Sequence, residues 1–118
     1  KIGVDIENSN IKVLDAKIAK RFFNEKDNLI IDKLRVSLQK KVLLKIWVIK
    51  ESLIKLQNGN LFKDLKNWHL DDNFKFAIYK NQDLKVNIKN ISFKTWEIGL
   101  ASLEKFNEED IKINFYID

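Results

Sequence analysis

Residues 2–6 alternate between apolar and polar side chains. The apolar members of this pattern are Ile2, Val4 and Ile6. Because successive side chains on a strand point to opposite faces, the alternation predicts a strand whose other face carries the carboxylates of Asp5 and Glu7. The polar cluster Asn-Ser-Asn at residues 8–10 predicts a turn after this strand.

Two later segments have the apolar spacing of helices. In residues 14–23 the apolar side chains recur at helical spacing, which predicts a first helix. In residues 37–57 they form a wide arc, and the segment ends at Asn-Gly-Asn, residues 58–60, a common helix stop. The second pattern predicts a long, central and mostly buried helix.

The second half of the chain contains shorter segments rich in β-branched and aromatic residues, which predict strands. These segments are residues 74–79, 84–88, 91–96, 98–106 and 111–117. One strand at the start, then helices, then several strands indicate an α+β fold, with a mainly antiparallel sheet packed on the long central helix.

The composition is that of a globular protein rather than a disordered one. With 118 residues, 45% hydrophobic and 33% charged, we expect a single domain, residues 1–118. No apolar run approaches the ~20 residues of a membrane span. The chain has no cysteine, which excludes a disulfide framework and thiolate chemistry and is compatible with a cytoplasmic protein. It also has no methionine, so we do not expect Lys1 to be the native start.

The net charge of +5 comes almost entirely from lysine. A lysine-rich surface attracts anions in general, which include phosphates, acidic proteins and nucleic acid. Nucleic-acid binders often carry clustered arginines or aromatic side chains exposed among basic ones. Neither feature is evident here, so phosphate and acidic proteins are favoured as ligands.

Asp5 and Glu7 stand two positions apart, so their carboxylates share one face of the predicted strand. Paired carboxylates without a nearby thiol suit a hard cation that is bound through oxygen, with water or phosphate completing its shell. A solvated strand face with no ligand gives the same pattern, and the two residues alone do not separate these alternatives.

Trp47, Glu51 and Lys55 are spaced by four residues, so they share one face of the long helix. Burial of the Glu51 carboxylate among aliphatic neighbours would be costly unless it is paired or bound to a metal. An ion pair between Glu51 and Lys55 that only stabilises the helix is an equally good interpretation of this spacing.

Three segments resemble motifs of the 4′-phosphopantetheinyl transferase superfamily. They are Gly-Val-Asp-Ile-Glu at residues 3–7, Ala-Lys-Arg-Phe-Phe at residues 19–23, and Trp-Val-Ile-Lys-Glu-Ser-Leu-Ile-Lys at residues 47–55. Their order and spacing are similar to those of the family, and the tryptophan and the full Asp-Ile-Glu favour the second half of its larger, surfactin-type branch. The resemblance implies a half-domain of a two-half enzyme.

The resemblance implies transfer of phosphopantetheine from coenzyme A to a serine of an acyl or peptidyl carrier protein. In this family Asp5, Glu7 and Glu51 would hold Mg²⁺ on the pyrophosphate of the coenzyme. Lys50 and Lys55 would lie near the phosphates, and Lys55 would support the charge on the transferring group. Glu51 would take the serine proton, directly or through a metal-bound water. These roles agree with phosphoryl transfer, which needs mainly positioning and charge neutralisation.

The resemblance also implies partners. Phe22 and Phe23 lie in the segment that helps to receive the carrier protein in this family, although core packing is the favoured interpretation for at least one of them. The coenzyme of the surfactin-type branch binds between two halves, so a missing first half or a homo-oligomer is expected. Asn58 and Asn60 replace two glycines that are frequent after the motif's last lysine, which leaves that turn to be tested. A non-catalytic half-domain and a nucleic-acid-binding domain are the alternatives.

Overall fold

Five strands pair into one antiparallel sheet that packs on a long helix, in a computed structural model that describes residues 1–10, 16–59, 64–80 and 82–107. The elements in chain order are β1 (Ile2–Asn8), α1 (Ala16–Phe22), α2 (Glu25–Asp32), α3 (Val36–Gln57), β2 (Trp68–Leu70), β3 (Phe76–Tyr79), β4 (Lys85–Phe93) and β5 (Trp96–Ser102). The strand order is β1-β5-β4-β3-β2, with every described pair antiparallel. The predicted α+β class is therefore confirmed.

Helix α3 lies across the inner face of the sheet and forms most of the core. Ten of its 22 residues are buried, from Leu43 to Ile54. They pack against the buried residues Val86, Ile88 and Ala101 of the sheet. A helix with such a wide apolar arc is stabilised mainly by this burial. The prediction of a long, buried central helix is confirmed, with its start one residue earlier than expected.

Two glycines allow α3 to lie almost directly on the backbone of the sheet. A Cβ atom on Gly3 would stand 1.9 Å from the carbonyl oxygen of Ser52, and one on Gly99 would stand 2.1 Å from that of Val48. Side chains at these positions would push the helix away from the sheet. Because Gly3 and Asp5 share the inner face of β1, the same close approach brings α3 next to the first predicted carboxylate.

We expect Gly3→Ala to destabilise the fold by at least the ~1–3 kcal/mol that is typical of overpacking, because the clash is with backbone atoms that cannot rotate away. Urea unfolding of the two proteins measures the difference. The same change at Gly59, where the added methyl group meets mainly side-chain atoms of Asp64 and Gln57, is the control and should cost less. Equal stability of the Gly3→Ala variant and the wild type would contradict the close packing.

Exposed apolar side chains lie on the outer face of the sheet, together with the polar residues Lys85, Asn87 and Lys89. Ile2, Val4 and Ile6 are 59%, 40% and 52% exposed, and Phe76, Ile78 and Phe93 continue the surface across the sheet. We call these six residues the outer face. The strand predicted for residues 2–6 is confirmed, and its aliphatic side chains lie opposite to the core. Among the described helices, none combines the length and hydrophobicity that a membrane crossing requires.

The structure corrects three of the predicted element boundaries. Residues 84–88 and 91–96 are not two strands: β4 runs unbroken from Lys85 to Phe93, and the chain turns at residues 94–95. The next strand is Trp96–Ser102 rather than 98–106. The polar Asn90 fits within this strand because its side-chain Nδ2 donates to the Ile98 carbonyl oxygen over 3.0 Å.

Two elements were not predicted at all. Helix α2 begins at a capping box in which the Asn24 side chain accepts from the Asp27 amide and Asp27 accepts from the Asn24 amide. Its apolar residues Leu29, Ile30 and Ile31 are consecutive, so they lack helical periodicity. Strand β2 has three residues, which is too short for a pattern. The strand predicted for residues 111–117 lies outside the described residues.

The asparagine that follows α3 preserves the turn. Asn58 has φ 55° and ψ 39°, the left-handed conformation that glycine most often adopts at this position, and the Gly59 amide donates to the Ile54 carbonyl oxygen over 2.9 Å. Asparagine tolerates this conformation better than most residues. The replacement of glycine at position 58 is therefore compatible with a normal helix end.

Candidate active site

Asp5 lies on the inner face of β1, beside α3, and is only 5% exposed. Within the described sheet β1 is an edge strand, so Asp5 is near solvent although its carboxylate is covered by the helix. A buried carboxylate needs a partner, because desolvation of its charge is costly.

Lys55, in the last turn of α3, is that partner. Its Nζ donates to Asp5 Oδ1 over 2.9 Å. The Lys55 side chain is 52% exposed and that of Asp5 only 6%. The ion pair therefore joins a fixed carboxylate to a lysine that reaches it from solvent.

Glu51 and Glu7 stand near the same ammonium group. The pKa of Lys55 is raised, first by its hydrogen bond to Asp5 and then by the charges of Asp5, Glu51 and Glu7, while partial burial acts in the opposite direction. Three carboxylates that the sequence singled out thus act electrostatically on one ammonium group, which only Asp5 is shown to bind. We call the three carboxylates of Asp5, Glu7 and Glu51 the acidic group, and Lys55 is the lysine bound to it.

One oxygen of this group remains available. Asp5 Oδ2 is buried and has no hydrogen-bond partner among the described residues. A buried polar atom in this condition is rare in proteins, and a bound ion or water is one explanation for it. Carboxylate oxygens are the donors that Mg²⁺ prefers, so the donor chemistry fits this cation.

The carboxylates do not form a complete metal cage as they stand. Within the described part of the chain, no three acidic or histidine side chains are close enough together to hold a metal ion. Mg²⁺ is often bound by one or two carboxylates together with water and substrate phosphate, so the absence of a cage does not conflict with it.

Comparison with known proteins decides the family. The family described as the 4′-phosphopantetheinyl transferase superfamily matches residues 1–104. The chain belongs to this superfamily. The 4′-phosphopantetheinyl transferase gsp of Aneurinibacillus migulanus is 29% identical over 84 residues, which are 71% of this chain and 35% of that protein. The chain therefore spans about a third of the length of this curated relative.

Two solved structures share the fold of this chain. A holo-(acyl-carrier-protein) synthase from Bacillus anthracis, solved in complex with CoA (3′,5′-ADP), superposes with a TM-score of 0.68 at 20% identity, over 85% of this chain and 91% of that one. The holo-[acyl-carrier-protein] synthase of Thermotoga maritima gives a TM-score of 0.65 at 18% identity, over 89% of this chain and 63% of that one. These similarities confirm the predicted fold of the 4′-phosphopantetheinyl transferase superfamily.

Lys50 is not part of the acidic group, although it precedes Glu51 in the superfamily motif. Its side chain is fully buried, and Nζ donates to the carboxylate of Asp27 and, over 2.6 Å, to the carbonyl oxygen of Leu65. Burial lowers the pKa of Lys50, and the Asp27 charge partly offsets this effect. The structure therefore places the ammonium in the core, where it connects three segments, rather than beside a phosphate site.

The aromatic residues of the superfamily motifs are mostly structural. Phe23 is 2% exposed and Trp47 is 6% exposed, and their ring centroids are 6.4 Å apart in the core. Phe23 therefore offers no surface to a carrier protein in this structure. Phe22 is half-buried and lies 5.3 Å from the guanidinium carbon of Arg21, so this residue of the pair remains accessible.

Glu97 was missed by the sequence analysis. It is buried, lies directly opposite Glu7 in the β1–β5 pair, and accepts hydrogen bonds of 2.6 Å from Asn90 Nδ2 and Ser92 Oγ. Two carboxylates opposite each other on a sheet repel, which makes the edge of the acidic group favourable for cations. An isolated glutamate in an apolar strand was the available signal, but its position opposite Glu7 depends on strand pairing.

Proposed function

We propose that this chain is the metal- and coenzyme-A-handling part of an enzyme that transfers 4′-phosphopantetheine from coenzyme A to a serine of a carrier protein. The observation that carries the proposal is the ion pair of Asp5 and Lys55 on the edge strand, on which the charges of Glu7 and Glu51 also act. Membership of the 4′-phosphopantetheinyl transferase superfamily supports the reaction class.

In the proposed reaction the serine hydroxyl oxygen bonds to the phosphorus that carries pantetheine. The bond from that phosphorus to the oxygen of the departing 3′,5′-ADP breaks, and the serine proton is removed. Glu51 is the candidate to accept this proton, because it is half-buried beside Lys55 and faces the edge of the sheet. General bases of this kind contribute about 10²- to 10⁴-fold to a rate.

Charge neutralisation is the other requirement of phosphoryl transfer. Lys55 is the candidate to contact the transferring phosphate, since its side chain is half exposed and its raised pKa keeps it protonated at neutral pH. Asp5, through Oδ2, is the candidate to contact Mg²⁺, with the charges of Glu7 and Glu51 nearby and with water and substrate phosphate completing its shell. When bound, this cation would neutralise negative charge on the pyrophosphate. Lys50 has no place in this assignment.

The carrier protein is proposed to dock near α1. Lys17, Lys20 and Arg21 are exposed on this helix, and Phe22 follows them. A basic surface with one accessible aromatic side chain is complementary to an acidic protein.

The outer face implies a partner. Six apolar side chains exposed on one face of a sheet form a surface of the kind that subunits or domains cover. We propose that a first half of the enzyme or a second copy of this chain covers it, in keeping with a chain that spans 35% of its curated relative.

We expect the isolated chain to self-associate through this face. Ile6→Lys should shift the chain towards the monomer, because a charge would be desolvated on association. Leu29→Lys, which changes an equally exposed residue of α2, is the matched control and should leave association unchanged. Sedimentation velocity over a range of concentrations measures the effect. A monomer at the highest concentration reached would contradict this expectation.

The experiment that tests the function is mass spectrometry of an apo carrier protein after incubation with the chain, coenzyme A and Mg²⁺. A gain of one phosphopantetheine group supports the proposal. Coenzyme A binding without transfer favours the alternative of a half-domain that needs its partner. Absence of both transfer and binding, also in the presence of the partner half, would refute the proposed function.

A further inference from the structure

The Lys55 ammonium is bound to the carboxylate that the proposed function assigns to a metal ion. Nζ donates to Asp5 Oδ1 over 2.9 Å, and the charges of Glu51 and Glu7 also act on it. The lysine therefore already supplies a positive charge to the carboxylates of this edge. No additional cation is required to balance the buried Asp5 in this arrangement.

The Asp5 carboxylate binds each of two cations more weakly than it would bind one alone. Its Oδ2 is buried and without a partner, so a divalent cation could bind there. That cation would share one carboxylate with the ammonium. Two positive charges held by the two oxygens of one carboxylate repel each other, even at the dielectric constant of water. Asp5 is fixed by burial, whereas the Lys55 side chain is 52% exposed and has room to leave.

We propose that Lys55 is the resident counter-ion of Asp5, and that a divalent cation binds the acidic group fully only after the lysine has moved to another anion. The competition between lysine and metal follows from the geometry. The identity of the second anion, a phosphate of coenzyme A, rests on the proposed function.

This exchange makes the metal and the phosphate ligand bind cooperatively. A phosphate that attracts Lys55 frees Asp5 for the metal, and each ligand therefore raises the affinity for the other by the same factor. The chain without a phosphate ligand should bind a divalent cation weakly, and the lysine would keep the carboxylate compensated until the substrate arrives.

The test uses Mn²⁺ alone as the probe, with free Mn²⁺ measured by electron paramagnetic resonance. Lys55→Gln should bind Mn²⁺ tighter than the wild type by on the order of tenfold, because the competing charge is removed. Lys55→Arg keeps the charge and should resemble the wild type. Lys66→Gln removes a charge from an exposed lysine elsewhere and is the control for net charge.

Two results would overturn the inference. One is equal Mn²⁺ affinity in Lys55→Gln and Lys66→Gln. The other is a gain that persists when Asp5→Asn is added to Lys55→Gln, since the gain would then not arise at Asp5. Both measurements are independent of the transfer assay. If the chain transfers phosphopantetheine but Lys55→Gln gives no gain in Mn²⁺ affinity, only the exchange is refuted. A chain that shows the gain but never transfers refutes only the proposed function.

Discussion

Replacement of Glu51 by glutamine is expected to lower phosphopantetheine transfer by about 10²- to 10⁴-fold, the range of a lost general base. Glutamine has nearly the same shape but neither accepts a proton at neutral pH nor neutralises a cation. Because Glu51 is only half-buried, the chain should stay folded. Mass spectrometry of the carrier protein over time, in whichever assembly is active, gives the rate.

Glu104→Gln is the matched control for this experiment. It makes the same chemical change at an exposed residue that lies after β5. Its transfer rate should equal that of the wild type, and thermal unfolding should show that both variants are folded. A Glu51→Gln variant that transfers at the wild-type rate would remove Glu51 from the proposed site.

Replacement of Lys50 by methionine is expected to have the largest effect on stability. It leaves the buried carboxylate of Asp27 without its ammonium partner, and removal of one member of a buried ion pair costs about 3–5 kcal/mol. The loss should appear as a lower urea midpoint of unfolding. Lys66→Met, at an exposed lysine, should stay within about 0.5 kcal/mol of the wild type.

A second substitution identifies the cause. Asp27→Asn removes the unpaired charge but keeps a side-chain oxygen that can accept from the Asn24 amide, so the capping box of α2 can persist. The Lys50→Met/Asp27→Asn variant should therefore be more stable than Lys50→Met alone. If instead the two losses simply add, the buried pair is not the source of the destabilisation.

The sequence was most informative where geometry is local. The spacing of Asp5 and Glu7 on a strand, and of Glu51 and Lys55 on a helix, determines which side chains share a face. What joins the two pairs is the packing of α3 on β1, which the glycine at position 3 permits. That glycine belongs to the first of the three superfamily motifs.

The placements that the sequence did not predict depend on contacts between distant segments. Lys50 belongs to the same motif as Glu51, but its partner Asp27 lies 23 residues earlier and follows no pattern that the motif contains. Phe23 likewise is an interior residue because Trp47 lies over it. Lys50 was therefore grouped with Lys55, and Phe23 with Phe22, whereas the fold buries Lys50 and Phe23 in the core.

Lys50 and Glu51 are neighbours in α3 that point in different directions, one into the core and one towards the edge of the sheet. Successive helical residues are rotated by about 100°. One residue inserted upstream in α3 would present Lys50 at the edge and turn another residue to face Asp27. The number of residues between the start of α3 and its last turn is therefore under strict constraint. We expect relatives of this chain to vary far more in the lengths of their loops than in the length of this helix.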